Sequence, residues 1–150
     1  MRRTIQVSAL LLAFVLAAMP AVAEESDKPF AEAHILLQVG DGDPETQSRA
    51  LSVANNLIKH YGGPDFVDIE IVAYGPGISL LYADSPNRER ISSLLTNDVR
   101  FVGCLNTLKT IERKTGKRPQ LIPEVIEVQT GVARLVELAQ NVFVIIKPRA

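Results

Sequence analysis

The sequence predicts an α/β domain with a mostly parallel, five-stranded sheet. Short apolar segments typical of strands alternate along the chain with amphipathic segments typical of helices. The first apolar segment, His34 to Val39, is nearly continuous, as in a parallel strand that is covered on both faces. Alternating strands and helices form βαβ units, whose strands run parallel. We therefore expect a single α/β domain over residues 24–150.

Four further strands are predicted: Phe66 to Tyr74, Val99 to Gly103, Glu124 to Val128 and Asn141 to Lys147. The first helix follows Asp43, a good N-cap, and Pro44, a good first helical residue. The later helical segments are predicted at Ile78 to Ala83, Asn87 to Leu95, Leu105 to Thr115 and Gly131 to Gln140. Gly116 is expected to end the helix that begins at Leu105.

The second strand alternates apolar and acidic residues. Val67, Ile69 and Ile71 point one way, and Asp68 and Glu70 point the other. Charged residues are rarely buried, so this alternation predicts that one face meets water, as at the edge of a sheet.

The N-terminal segment has the features of a secretory signal peptide. Two arginines precede an uncharged apolar run from Val7 to Met19, and Ala21-Val22-Ala23 is a small-x-small cleavage site. Removal of residues 1–23 would lower the net charge from −1 to −3. A mildly acidic chain argues against nucleic-acid binding, and no later segment is long enough to span a membrane. We expect a periplasmic or secreted protein with no stable membrane insertion after cleavage.

Cys104, the only cysteine, lies where the third strand meets the following helix. An exported lone thiol is buried, paired between chains, or reactive. A free cysteine has a pKa of ~8.5, and a helix N-terminus stabilises a thiolate whereas burial opposes it. The sequence leaves open whether Cys104 is a reactive nucleophile or a structural core residue.

Four segments follow predicted strands, and such segments meet at one edge of a parallel sheet, where ligands bind. They are Gly40 to Asp43, Gly75 to Gly77, Cys104 to Thr107 and Gln129 to Gly131. We predict Cys104 as the catalytic residue. The predicted ligand-binding residues are Gly75, Gly77, Leu105, Asn106, Thr107 and Gly131.

Other motifs favour structural interpretations. Gly40-x-Gly42 lacks the third glycine of a dinucleotide fingerprint, and His34 and His60 have no ligand spacing. We therefore expect no cofactor and no metal. Lys109 to Arg118 is rich in positive charge, which is favourable near a helix C-terminus. The alternative for this basic stretch is docking of an acidic partner.

Several segments resemble the DsrE/DsrF-like family, and the likeness covers about His34 to Pro148. They are Cys104-Leu105-Asn106-Thr107-Leu108 behind an apolar strand, Tyr74-Gly75-Pro76-Gly77-Ile78, and the closing Val125 to Val128, Gly131, Leu135 and Ile145 to Pro148. The resemblance implies a three-layer α/β/α domain that forms trimers or hexamers. It also implies sulfur relay, in which a cysteine at the position of Cys104 accepts sulfane sulfur as a persulfide and passes it to a partner thiol.

Two features depart from that pattern: the chain is predicted to be exported, and it has no second cysteine to resolve a persulfide. Two functions remain open from the sequence. One is a periplasmic sulfur carrier that works with a donor or acceptor protein. The other is a non-catalytic, homo-oligomeric module that binds a small ligand or a partner, in which Cys104 is structural.

Overall fold

The computed structural model of the chain describes residues 28–149. The predicted signal peptide, residues 1–23, lies outside the described residues. Within residues 28–149, no helix is long and apolar enough to cross a membrane.

The described chain forms a five-stranded sheet in which every pair of neighbouring strands is parallel. The strands are β1 (Ala33–Val39), β2 (Val67–Ala73), β3 (Arg100–Cys104), β4 (Ile126–Val128) and β5 (Val144–Ile146). The helices are α1 (Pro44–His60), α2 (Arg88–Thr96), α3 (Leu105–Thr115) and α4 (Gly131–Gln140). The strand order is β4-β3-β2-β1-β5, and the predicted fold class is confirmed.

The sheet is covered on both faces, which gives three layers. One face packs against α1, α2 and α3, and its core includes Leu37, Ile71 and Phe101 from the sheet. The other face packs against α4, through a smaller core of Leu36, Val72, Val102, Leu135 and Leu138. The two faces follow from strand alternation, since successive side chains point to opposite sides.

The predicted wet face of β2 is wrong. β2 is the central strand of the sheet, and Asp68 and Glu70 are fully buried under α4. Their charges are compensated by Arg100 and Arg134, which the sequence pattern did not reveal as partners. Buried carboxylates persist in proteins when they are paired in this way.

Local signals correctly located the start of α1 and the end of α3. The Asp43 carboxylate accepts a hydrogen bond from the Thr46 N–H at 2.7 Å, which caps α1 as expected. Gly116 ends α3 in the left-handed conformation, with φ of 74°. The short helical piece after β2 is a 3-10 helix, Gly75–Leu81, and a second one, Pro64–Phe66, occupies the predicted start of β2. The last two strands are shorter than predicted.

Candidate functional site

Cys104 is the last residue of β3 and the N-cap of α3. Its backbone is extended, with φ of −82° and ψ of 113°, so the chain leaves the sheet directly into the first helical turn. The residue is 5% exposed. The thiol therefore lies just below the surface, at the carboxyl edge of the sheet.

Burial alone would raise the pKa of the Cys104 thiol, because a thiolate loses solvation there. Hydrogen bonds to the sulfur outweigh this effect and hold its pKa below the ordinary value. The groups that lower the pKa are the Gly131 N–H, the Thr107 hydroxyl and N–H, and the Asn106 N–H, which all lie at the starts of α3 and α4. The site thus makes the thiol more acidic than burial alone would, and a lower pKa raises the fraction of nucleophilic thiolate.

The donors come from the N-termini of two helices that begin on opposite faces of the sheet. Thr107 and Asn106 lie in the first turn of α3, and Gly131 is the first residue of α4. The chain leaves β3 toward one face and leaves β4, its neighbour, toward the other. A crevice opens at such a switch point, and ligands of open α/β sheets bind there.

Hydrogen bonds connect the four segments that were predicted to meet at this edge. The Gly77 N–H donates to the Gly40 carbonyl at 3.3 Å, and the Gly75 N–H donates to the Thr107 hydroxyl at 3.0 Å. The Asn106 N–H donates to the Gln129 carbonyl at 3.2 Å. The predicted convergence of these segments is confirmed.

Side chains complete the connection between the starts of α3 and α4. The Asn106 amide donates to the Thr130 hydroxyl at 3.0 Å and accepts from the Gln129 amide at 2.6 Å. Sequence reasoning missed Gln129 and Thr130 as partners of Asn106. Their position after the fourth predicted strand was the available signal.

Two of the predicted glycines allow close packing. A Cβ on Gly131 would lie 3.2 Å from the Cys104 Cβ and 3.1 Å from the Tyr74 Cβ, so glycine lets α4 begin beside the thiol. A Cβ on Gly77 would lie 2.3 Å from the Val39 carbonyl oxygen. Gly77 is buried, and this close approach of two backbones accounts for its being glycine.

A cleft of about 480 Å³ lies between α3 and the 3-10 helix that follows β2, and Cys104 does not line it. Of the predicted ligand-binding residues, Gly75, Asn106 and Thr107 line this cleft, whereas Gly77 and Gly131 do not. Thr110 and Lys114 from the next turns of α3 add a hydroxyl and a positive charge. Leu105 does not line the cleft, and it packs against the larger core instead. Thr107 joins the two features, because its hydroxyl helps to lower the pKa of the Cys104 thiol and the residue also lines the cleft.

A buried ion cluster lies on the α4 face of the sheet, on the amino-terminal side of the thiol. We use this name for Asp68, Glu70, Arg100 and Arg134. Arg100 contacts Asp68 at 2.6 Å and Glu70 at 3.0 Å, and Arg134 contacts Glu70 at 2.8 Å. His34 joins the cluster through a 3.3 Å contact between its Nδ1 atom and Asp68.

Among residues 28–149, no group of three or more His, Cys, Asp and Glu side chains is arranged to hold a metal ion. His34 contacts Asp68 and packs at a tilt against Phe143, with ring centroids 5.3 Å apart. His60 lies at the end of α1 against Tyr61. Both histidines thus have the structural surroundings that their spacing predicted.

The chain matches no protein-family model, and no curated protein matches it. It is similar to a solved structure, the protein of unknown function MTH1491 from Methanobacterium thermoautotrophicum. The two are 26% identical with a TM-score of 0.69, over 78% of this chain and 100% of that chain. This similarity supports the α/β fold over most of the described residues.

Proposed function

We propose that this protein is an exported DsrE-like sulfur carrier that holds sulfane sulfur as a persulfide on Cys104. The observation that carries the proposal is the position of Cys104 at the N-terminus of α3 and beside Gly131, the first residue of α4. N–H groups at helix N-termini stabilise anions. The same donors can stabilise the thiolate before sulfur transfer.

With thiosulfate as the donor, the Cys104 thiolate attacks the outer, sulfane sulfur. A new S–S bond forms to Cys104, and the S–S bond of thiosulfate breaks. Sulfite leaves with the electron pair of the broken bond, so a thiolate and a thiosulfate dianion become a persulfide anion and a sulfite dianion. A partner thiolate then attacks the outer sulfur of the Cys104 persulfide. The outer sulfur becomes a persulfide on the partner, and the Cys104 thiolate is regenerated.

The chain itself cannot resolve the persulfide, because Cys104 is its only cysteine. Sulfur must therefore pass to another protein or to a small thiol. The cleft beside Thr107 supports entry of a small donor or acceptor, and Lys114 at its border favours one that carries negative charge.

The test is to incubate the reduced protein with thiosulfate or polysulfide and to measure its intact mass. We expect wild type to gain one sulfur atom, and we expect a reducing agent to remove it. Cys104→Ser should gain none under the same conditions. The proposal fails if wild type forms no adduct, or if Cys104→Ser carries the sulfur equally well.

The cleft also supports a second function, the binding of a small ligand without chemistry at Cys104. Its volume of about 480 Å³ falls within the range of ordinary ligand sites, and its lining is mixed apolar and polar. Small carboxylic acids are the first probes, because Lys114 offers a positive charge. If they shift the amide resonances of Thr107 and Thr110 equally in wild type and Cys104→Ser, binding does not need the thiol. No shift with any probe would argue against this function.

We further propose that the protein acts in the periplasm or outside the cell, as a homo-oligomer. The basic start, apolar run and cleavage site of the sequence support export. The resemblance to DsrE/DsrF-like proteins supports a trimer or hexamer. Exposed apolar side chains on β4 and α4, namely Ile126, Val132 and Val136, offer surface for such an assembly. N-terminal sequencing of the exported protein should begin at Glu24.

A further inference from the structure

The buried ion cluster lies beneath the helix whose N-terminus reaches the thiol. Arg134 is one helical turn from Gly131. Its guanidinium makes two contacts with the Glu70 carboxylate, Nε to Oε1 at 2.8 Å and Nη2 to Oε2 at 3.0 Å. A two-point arginine–carboxylate contact fixes orientation as well as distance. Glu70 lies fully buried on the central strand, so the contact ties α4 to the most enclosed part of the sheet.

We propose that Arg134 and Glu70 are positioning residues for the Cys104 site: their ion pair holds the first turns of α4 on the central strand and so fixes Gly131 beside Cys104. The inference rests on the proposed function, since an anionic sulfur is what this alignment serves. It assigns a role to a buried carboxylate and a partly buried arginine that take no direct part in sulfur transfer.

The remaining contacts of α4 with the sheet are mostly apolar. Leu135 and Leu138 pack against Leu36, Val72 and Val102. Apolar packing favours burial but is not directional, so small rotations and shifts of α4 cost little free energy. The two-point contact between Arg134 and Glu70 restricts the orientation of α4, which apolar packing does not. The approach is close, since a Cβ on Gly131 would lie 3.2 Å from the Cys104 Cβ, and a small shift of α4 changes the geometry at the sulfur.

Other charged groups of the cluster keep this contact in place. Arg100 of β3 also donates to Glu70, at 3.0 Å, and it bridges to Asp68 at 2.6 Å. His34 of β1 contacts Asp68 from the other side. Within α4, Arg134 has a second, exposed partner in Glu137 at 3.2 Å. Glu137 is joined to Arg134 alone in this arrangement and does not link α4 to the sheet.

The test compares the ionisation of Cys104 in wild type, Arg134→Lys and Arg134→Gln. The pH midpoint of thiolate formation is followed by ultraviolet absorbance. Alkylation rates are unsuitable, because a loosened α4 would change both the ionisation of the thiol and its accessibility to the reagent. We expect both variants to move the midpoint to higher pH. At neutral pH the thiolate fraction should fall about two- to fivefold, the scale of one helix-terminus contact.

Arg134→Lys keeps the charge but not the two-point contact. If the pH midpoint shifts in Arg134→Gln but not in Arg134→Lys, the charge of Arg134 is responsible, and the positioning role is overturned. Glu137→Gln is the matched control, since it removes the exposed partner of Arg134 and leaves the contact with Glu70. We expect it to titrate as wild type does. Unchanged midpoints in both Arg134 variants would also overturn the proposal.

A measurement on wild type keeps the proposal testable if the Arg134 variants do not fold. The Gly131 amide proton should move downfield as the thiol ionises, with the same midpoint, because Gly131 lies beside the sulfur on which the negative charge develops. No response of this proton to the titration would contradict the inference. Neither experiment involves sulfur transfer. A protein that titrates as expected but forms no persulfide would refute the proposed function and leave the positioning role intact.

Discussion

At Cys104, burial and hydrogen bonding act on the thiol in opposite directions. Burial opposes ionisation, while a hydroxyl and three N–H groups favour the thiolate strongly enough to lower the pKa. Hydrogen bonds to charged groups are worth more than those between neutral groups, which is why a few donors can offset the loss of solvation. A nearly buried thiol can therefore remain reactive toward small molecules that reach it.

Thr107→Val tests the side-chain hydroxyl that helps to lower the pKa of the Cys104 thiol. Valine keeps the shape of threonine and removes the hydroxyl. A hydrogen bond to a charged group contributes about 1.5–3 kcal/mol, so the thiolate fraction at neutral pH should fall by at least about tenfold. Ultraviolet titration of the thiol measures this. Thr110→Val is the control, since its hydroxyl donates to the Asn106 carbonyl at 2.8 Å, one turn away. Equal titration of wild type and Thr107→Val would exclude the predicted contact.

The lowered pKa of Cys104 also predicts how its contribution to stability depends on pH. Unfolding returns the thiol to its ordinary pKa of ~8.5. The stabilisation is therefore fully present only at pH values above the unfolded-state pKa, and it is lost as pH falls through the lower, folded-state pKa. We expect the difference in unfolding free energy between wild type and Cys104→Ala to grow as pH rises from neutral to above 9.0. Urea denaturation with a reductant present measures it, and a difference that is flat or shrinks with pH would contradict the sign.

At the scale of elements, β2 illustrates what local pattern reveals and what it does not. Its length and strand character were predictable from alternation, but alternation does not distinguish a wet face from a face of paired buried charges. Whether the acidic face of β2 is exposed or buried depends on Arg100 and Arg134, which are 30 and 64 residues from Glu70 in the chain. Strand order and the path of α4 bring them together. Neither is encoded in a local window of sequence.

The candidate site was more predictable than the ion cluster. Its backbone segments all follow strands, and in a parallel sheet that fact alone brings them to one edge. Cys104, Asn106, Thr107 and Gly131 were located on that basis. The direction of the pKa shift was not predictable, because it depends on burial and on donors from α4, which follows a different strand.

Glu70→Ala tests the contribution of the buried ion cluster to stability. Removing one partner leaves arginines inside the protein without their full compensation, which typically costs 3–5 kcal/mol. Arg100 and Arg134 remain partly in contact with water, so we expect the unfolding free energy to fall by about 3 kcal/mol, the low end of that range. Chemical denaturation measures this. Glu45→Ala removes an exposed pair with Arg49 and should cost less than about 1 kcal/mol. Similar losses in the two variants would contradict a structural role for the cluster.

At the scale of the whole molecule, the strand order determines where the site lies. Three successive connections place α1, α2 and α3 on one face as the chain moves from β1 to β4. The chain then crosses the other face through α4 and adds β5 beside β1. The change of face occurs between β3 and β4, so the ends of these strands open around Cys104. The same crossing leaves α4 as the sole helix that covers its face in the described chain, with one side turned to solvent.

That outer side of α4 leads to a prediction about assembly. Val132 and Val136 lie one turn apart and are 50% and 53% exposed, and Ile126 on the edge strand β4 is 47% exposed. If these side chains are buried between subunits, each contributes about half of the ~1.5–3 kcal/mol of a full burial, because half of its surface is already covered. We expect the wild-type protein to sediment as a trimer or hexamer, and we expect Val136→Glu to sediment as a smaller species.

Asn56→Glu is the control for the added charge, because Asn56 is exposed on α1, in the layer opposite α4. It should leave the sedimentation of the protein unchanged. A monomeric wild type would refute the proposed oligomer. An oligomer that persists in Val136→Glu would instead place the subunit contacts elsewhere, and the exposed Val144 and Ile145 of β5 would be the next residues to test. The exposed side of α4, with Val132 and Val136, lies on the same helix as Arg134. Subunit association through that side should therefore also reduce the mobility of the N-terminus of α4. Dissociating variants should then show a higher pH midpoint for the Cys104 thiol.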